Sequence, residues 1–176
     1  MTTVQPSPKV PARWVRVLIE KRLQASEWQP FRWELADVSW CPDLPVDEPS
    51  PIFEAGEGQT GCYFRVTLHA DEADGYYLNC TSDYPAWFVH WRLDEEAPDE
   101  PPRVNFVTLS YNEAGRILDS GELVENLPVD VDTAAWLAAF AQEHFVPEPR
   151  KRQRPESFKR VKDRFEGGPG REGANG

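Results

Sequence analysis

Three cysteines (Cys41, Cys62, Cys80) and three histidines (His69, His90, His144) are the side chains in this sequence best suited to act as nucleophiles, general bases or soft-metal ligands. Their spacing argues against a zinc centre. There is no C-x-x-C pair, and no histidine stands at zinc-site distance from a cysteine. Cys62, His69, Cys80 and His90 fall on segments expected to be neighbouring strands, so a thiol–imidazole pairing is geometrically open. The commoner role of such a cysteine is that of a small apolar filler, and alternation turns Cys62 and Cys80 toward the core. The expected state is three free thiols in a reducing cytoplasm.

The other chemical candidates are glycines and carboxylates. Gly56-Glu57-Gly58-Gln59-Thr60-Gly61 is a literal G-x-G-x-x-G. A dinucleotide site needs a helix after that loop, so that the pyrophosphate meets the helix N-terminus. Here a strand follows, and Glu57 would face phosphate charge, so the segment reads as a hairpin loop. Asp94, Glu95 and Glu96 with Asp99 and Glu100 could hold a hard cation or act as paired acid and base. They lie in a proline-rich run too polar to bury and read as a solvated loop. Asp71, Glu72 and Asp74 have calcium-loop spacing without the closing glutamate. Asp83 reads as a turn residue. No catalytic residue, metal or cofactor is expected.

Binding is better supported than chemistry. Trp28, Trp33, Trp40, Tyr76, Tyr77, Tyr84, Trp87 and Trp91 are a heavy aromatic load for 176 residues. Their neighbours are acidic, which argues against stacking on nucleic acid and for a protein interface. Trp87, Val89 and Trp91 alternate with Phe88 and His90, so one face of that strand is core and the other is free to bind. Trp87 and Trp91 are the expected interface anchors. The net charge of −11 is unevenly spread: residues 150–176 hold nine Lys/Arg against four Asp/Glu, which leaves −16 on residues 1–149. Nucleic acid and anionic lipid are unsuited to so acidic a body. Arg150, Lys151, Arg152 and Arg154 form the basic run expected to touch an acidic partner.

The elements that would position these residues follow from periodicity. At 40% hydrophobic the chain can bury one core, while 17 prolines require much loop and tail. Residues 1–12 are expected to be a disordered arm, 13–146 a single globular domain, and 147–176 a basic Pro/Gly-rich tail with at most a weak helix over 155–165. Alternation predicts strands over 14–21, 31–40, 62–70 and 103–109, with a short one at 52–54. Tyr76–Thr81 and Ala86–Leu93 read as two further strands joined by a turn, forming the central hairpin, with Asp71–Gly75 as the turn before it. Ser110 with Glu113 has capping-box spacing and opens a helix stopped by Gly121; Tyr111, Ala114, Ile117 and Leu118 share its apolar face. Asp130 or Asp132 caps a second helix, with Ala135, Trp136, Ala139, Phe140 and His144 on one face, ending before Pro147. The fold class is α+β with β dominant: six or seven mostly antiparallel strands, as a curled sheet or small barrel, with two C-terminal helices. No apolar run has signal-peptide or membrane-spanning length, so a cytoplasmic protein is expected and Asn79-Cys80-Thr81 is not read as a glycosylation site.

Several of these segments, taken in order, resemble the bacterial family of unknown function DUF3305. The resemblance rests on Val15–Arg22, on Trp28-Gln29-Pro30-Phe31-Arg32-Trp33, and on Tyr76, Asn79, Ser82, Pro85 and Val89. It continues through Val107-Thr108, Ser110, Glu113-Ala114, Asp119-Ser120-Gly121-Glu122, Val124-Glu125 and Pro128, with Tyr111-Asn112 replacing the family's Pro-Tyr. It closes on Trp136, Phe140, His144 and the run from Glu148 to Arg154. The family resemblance implies an association with formate dehydrogenase and molybdenum-cofactor gene clusters, and for some members a guanylyltransferase label. That label is rejected here, because LQASEW follows the first strand where such an enzyme needs a glycine-rich nucleotide loop.

The expected function is therefore that of a non-catalytic accessory or adaptor protein, with subunits of a formate dehydrogenase as the implied partner. The alternative is a small-molecule or cofactor binder, related to the molybdenum cofactor, that uses Asn79 and Ser82 with Asp119, Ser120 and Glu122.

Overall fold

The structure, a computed structural model, describes residues 11–42 and 52–147, residues 52–55 by their backbone alone. The chain runs β1 (Ala12–Leu23), β2 (Phe31–Trp40), β3 (Ile52–Gly56), β4 (Gln59–Thr67), a 3-10 turn (Ala70–Glu72), α1 (Ala73–Cys80), β5 (Ala86–Arg92), β6 (Arg103–Thr108), α2 (Tyr111–Asp119), β7 (Glu125–Pro128) and α3 (Val131–His144). The strands form two antiparallel sheets, one in the order β2-β1-β4-β3 and the other β6-β5-β7. The fold is thus α+β with the strands dominant. Most of the expected arm, residues 43–51 with their prolines, and the tail from residue 148 lie outside the described residues.

The strands form where alternation puts apolar groups inward. Val15, Val17 and Ile19 of β1 are buried and share one core with Leu35 and Val38 of β2, Val66 of β4, Trp87 and Val89 of β5, and Val107 of β6. A bulge sits in the β1–β2 ladder, where Leu18 pairs with Asp37 and Ile19 with Leu35, leaving Ala36 unopposed. Arg13 pins α3 to the first sheet: its guanidinium lies 4.3 Å from the Trp40 ring and 4.5 Å from that of Trp136. The core face of α3 is Thr133, Leu137, Phe140 and Ala141. It is rotated from the expected face, and Ala135 and Ala139 are exposed.

The strands do not close into a barrel. Closure would need β2 to ladder with β7, but β7 has only four residues and one of them, Pro128, has no N–H to donate. A side chain makes the link instead: the Glu125 carboxylate accepts from the Leu35 amide at 2.9 Å and from the Trp91 indole at 3.3 Å.

The largest departure from expectation is the segment read as the first half of a central hairpin. Residues 73–80 are a helix, α1, and Asp71–Gly75 is its approach and first turn rather than a β-turn. Its composition is poor for a helix, and tertiary contacts decide the matter. Tyr76 packs edge-on against Phe140 of α3 with ring centroids 5.7 Å apart, and Tyr77 stacks on Phe145 at 4.3 Å. Gly75 lets the start of α2 approach closely, for a Cβ there would lie 2.1 Å from Ser110 Oγ.

Asn79 is the fixing point. It is 1% exposed. Its Nδ2 donates to the carbonyls of Ala86 and Leu109, each at 2.8 Å, and its Oδ1 accepts from the Ala86 amide at 2.9 Å. One carboxamide thus joins the end of α1 to the start of β5 and the end of β6. Asn79→Ala would leave three buried backbone groups unsatisfied, and we expect it to cost about 3 kcal/mol. In thermal unfolding followed by circular dichroism that is a fall in Tm of roughly 10 °C; an unchanged Tm would refute the role.

Candidate functional site

Alternation along β5 is as expected, but the face assigned to binding is the core. Trp87 is fully buried, so it cannot anchor a partner. Trp91 is half-buried against the core, with its indole N–H committed to Glu125. The physical reason is size: the two indoles are the largest side chains on the strand, and this face is covered by the other sheet. The opposite face carries Phe88, and there a groove of about 570 Å³ opens. That volume lies within the range of ligand-binding clefts, about 300–1,000 Å³.

The groove is built from four elements. Phe88 of β5 forms part of its lining, with Asn126 and Pro128 of β7 beside it. Tyr111, the first residue of α2, supplies one wall and meets Phe88 edge-on with centroids 6.1 Å apart. The turn between α1 and β5 supplies the other, through Ser82, Asp83 and Tyr84. That turn is held from beneath: Ser82 donates both its hydroxyl, at 2.7 Å, and its amide, at 3.1 Å, to the Asn79 carbonyl. Its tip is left free. Tyr84 is 85% and Tyr111 56% exposed. Asp83 has no ion pair or hydrogen-bond partner among the described residues.

Tyr111 is positioned by a polar network at the junction of α1 and α2. Ser110 caps α2 by accepting from the Glu113 amide at 3.2 Å, and its hydroxyl donates to Glu72 at 2.7 Å. The expected capping box is altered. Ser110 N–H donates to Thr108 Oγ1 at 2.9 Å, and the Glu113 carboxylate accepts from that Thr108 hydroxyl instead of from the cap. Arg116 pairs with Glu72, and Asn112 donates to Asp74 at 3.0 Å. The acidic trio Asp71, Glu72 and Asp74 thus includes two helix-junction residues and has no calcium-loop geometry.

The second half of the expected ligand turn lies elsewhere. Asp119 and Ser120 end α2, and Gly121 takes a φ of +86°, the left-handed conformation that closes a helix. Glu122 is clamped by Arg92 and stands 3.9 Å from His90 Nε2, while His90 Nδ1 lies 2.9 Å from the Leu123 carbonyl. Asn79 and Ser82 line the aromatic groove, Ser120 a hollow beside His90, and Glu122 a third beside Trp91. The structure does not bring the five residues together. Asn79, moreover, is fully engaged with backbone. Arg150, Lys151, Arg152 and Arg154 lie outside the described residues.

The remaining candidates resolve into structural roles. Gly56–Gly61 spans the β3–β4 hairpin, with Gly58 at φ +75° in its turn and no helix after it. Among the described residues, no three His, Cys, Asp or Glu side chains are grouped as a metal site. Burial raises the pKa of all three thiols, that of Cys62 to about 11, so thiolate chemistry at neutral pH is disfavoured. No helix among the described residues is long and apolar enough to cross a membrane.

Sequence reasoning missed Tyr84 and Tyr111 as a pair. Tyr84 follows a turn aspartate and precedes a proline, which marks it as exposed. Tyr111 directly follows an N-cap, and its assignment to the apolar stripe of α2 is corrected: Ala114 is that helix's buried residue.

Fold and groove together define a two-sheet α+β domain with an aromatic surface cleft. The chain matches the family described as "Protein of unknown function (DUF3305)" over residues 14–154, and it belongs to that family. No curated protein and no solved structure matches it.

The Cys62 shift carries a sign. Its thiol keeps its proton up to about pH 11 when folded but only to about 9 when unfolded. The stability it contributes is complete below pH 9 and declines as pH rises from 9 to 11. Alkylation of folded protein by iodoacetamide should therefore show Cys62 slow at pH 8 and accelerating toward pH 11. Rapid modification at pH 7 would contradict the assignment.

Proposed function

We propose that this protein is a non-catalytic binding module, an accessory or adaptor that engages another polypeptide through the groove of Tyr84, Phe88 and Tyr111. The single observation that carries the reading is the exposure of two tyrosines over a half-buried phenylalanine. Large aromatic rings are costly to leave in water, and at interfaces they supply much of the binding energy. The groove walls are also preorganised, since Asn79 and Ser82 fix one side and Ser110 the other. Little ordering remains to be done on binding.

The basic run Arg150, Lys151, Arg152 and Arg154 fits a second contact, to an acidic patch elsewhere on the partner, while the groove supplies specificity. The family resemblance makes subunits of a formate dehydrogenase under assembly the first partners to test. A small-ligand reading draws on a different observation, a cleft of about 250 Å³ between the sheets lined by Val17, Ile19, Cys62, Phe64 and Val104. That cleft is mostly apolar, with Thr60, Arg103 and Asn105 also lining it, and is smaller than the groove, so it suits only a small molecule. The adaptor reading is the stronger one.

Co-purification of the full chain with the dehydrogenase subunits tests it. Tyr84→Ala/Tyr111→Ala should lower affinity by about tenfold or more while leaving the circular dichroism spectrum unchanged, because both side chains are exposed. Undiminished recovery by the double variant would sink the groove as the interface.

A further inference from the structure

Resting on that reading of the groove, we propose that its partner is recognised by arginine: an extended basic segment places a guanidinium against the Tyr84 and Tyr111 rings and pairs it with Asp83. The first argument is charge. Asp83 is the one charged residue lining the groove, and the body around it carries −16 over residues 1–149. Three carboxylates elsewhere, at the start of α1, on α2 and in the segment after it, are occupied: Glu72 by Arg116 and Ser110, Glu113 by Thr108, Glu122 by Arg92. Asp83 alone among these four has no partner within the described residues, and it is next in sequence to the most exposed tyrosine of the groove.

The second argument is chemical fit. Electron-rich rings attract cations, and a planar guanidinium stacks on them while its edge remains free for two hydrogen bonds to a carboxylate. A lysine ammonium is a more strongly hydrated point charge and can do only part of this. The molecule already contains the ring half of such an arrangement. Arg13 lies against the Trp40 and Trp136 rings, within the electrostatic reach of Asp130 and Asp132. The groove presents the same components, aromatic rings and an adjacent acid, without the cation. An extended segment also suits the site, because the Asn126 amide stands beside the groove as a donor and acceptor for a passing backbone.

Full-length protein titrated with a twelve-residue (Arg-Pro-Ser)4 peptide, and with its Lys, Gln and Glu twins, tests this by NMR of the tyrosine rings. The Arg peptide should shift Tyr84 and Tyr111 saturably and bind about three- to tenfold more tightly than the Lys twin. Asp83→Asn and Tyr84→Ala should each weaken it by a similar factor, whereas Asp94→Asn/Glu95→Gln/Glu96→Gln should not. If the Gln or Glu twin binds the tyrosines as well as the Arg peptide does, arginine recognition is wrong and the groove reading stands. If the acidic-loop variant abolishes binding and Tyr84→Ala does not, the attraction is diffuse and the inference falls. If no peptide moves the rings and the double tyrosine variant still recovers its partner, both this inference and the groove reading fall.

Discussion

Three hydrogen bonds from one buried carboxamide set the arrangement of this domain. Asn79 exchanges donor and acceptor with Ala86, much as a strand residue would with its ladder partner, although it stands at the end of a helix. Its second donor bond, to Leu109, reaches the strand beyond. A helix end is thereby spliced onto the start of the central strand, and the Ala86 amide, the Ala86 carbonyl and the Leu109 carbonyl are satisfied there. No apolar side chain could do this, since burying the carbonyls of Ala86 and Leu109 without donors would be unfavourable. The splice also dictates the shape of the turn above it. Because α1 ends at Cys80 and β5 begins at Ala86, the chain has only a short span in which to reverse. Asp83 and Tyr84 are pushed outward at the tip.

A second constraint fixes the opposing wall. Ser110, Thr108, Glu113, Glu72 and Arg116 form a connected polar network at the start of α2, and Gly75 admits it by having no side chain. Such networks are rigid when every member is satisfied, and these members are. Tyr111 follows Ser110 directly, so its backbone inherits that rigidity. The two tyrosines stand on independently braced supports with Phe88 of the central strand between them. A binding site gains from such bracing, because precision of placement comes from the elements beneath the contact residues.

Much of this was legible in the sequence, and the failures have physical causes. Strands announced themselves by alternation, and both capped helices by Ser110, Asp130 and Gly121. α1 was hidden because its inward face combines Tyr76 with Gly75 and Asn79, so it showed no apolar stripe at helical spacing. Tyr-Tyr-Leu also favours strand on propensity alone, and the contacts that override it lie on α3 and β6, far away in sequence. The alternation of β5 was correct, yet alternation cannot tell which face is core. Side-chain volume could have done so, since two tryptophans on one face are more often buried than Phe and His on the other. Barrel closure was beyond reach, for it turns on how few residues of β7 can ladder.

The division of labour among the polar residues is consistent with the binding role proposed above. Side chains with catalytic potential are mostly absorbed by the fold: His90 by the Leu123 carbonyl, Glu125 by β2 and Trp91, Glu113 by Thr108, and the Cys62 thiol by an apolar setting that keeps its proton. Most of these polar atoms hold strands and helices in register; His90, whose Nδ1 faces the Leu123 carbonyl as a donor, keeps the lone pair of Nε2. Among the groups left uncommitted, the Asp83 carboxylate and the Tyr84 and Tyr111 rings stand together, lining one groove. Two rings beside a carboxylate are well suited to holding a cationic side chain. The same braces that hold α1, α2 and β5 together leave the groove of Phe88, Tyr84 and Tyr111 open at the surface.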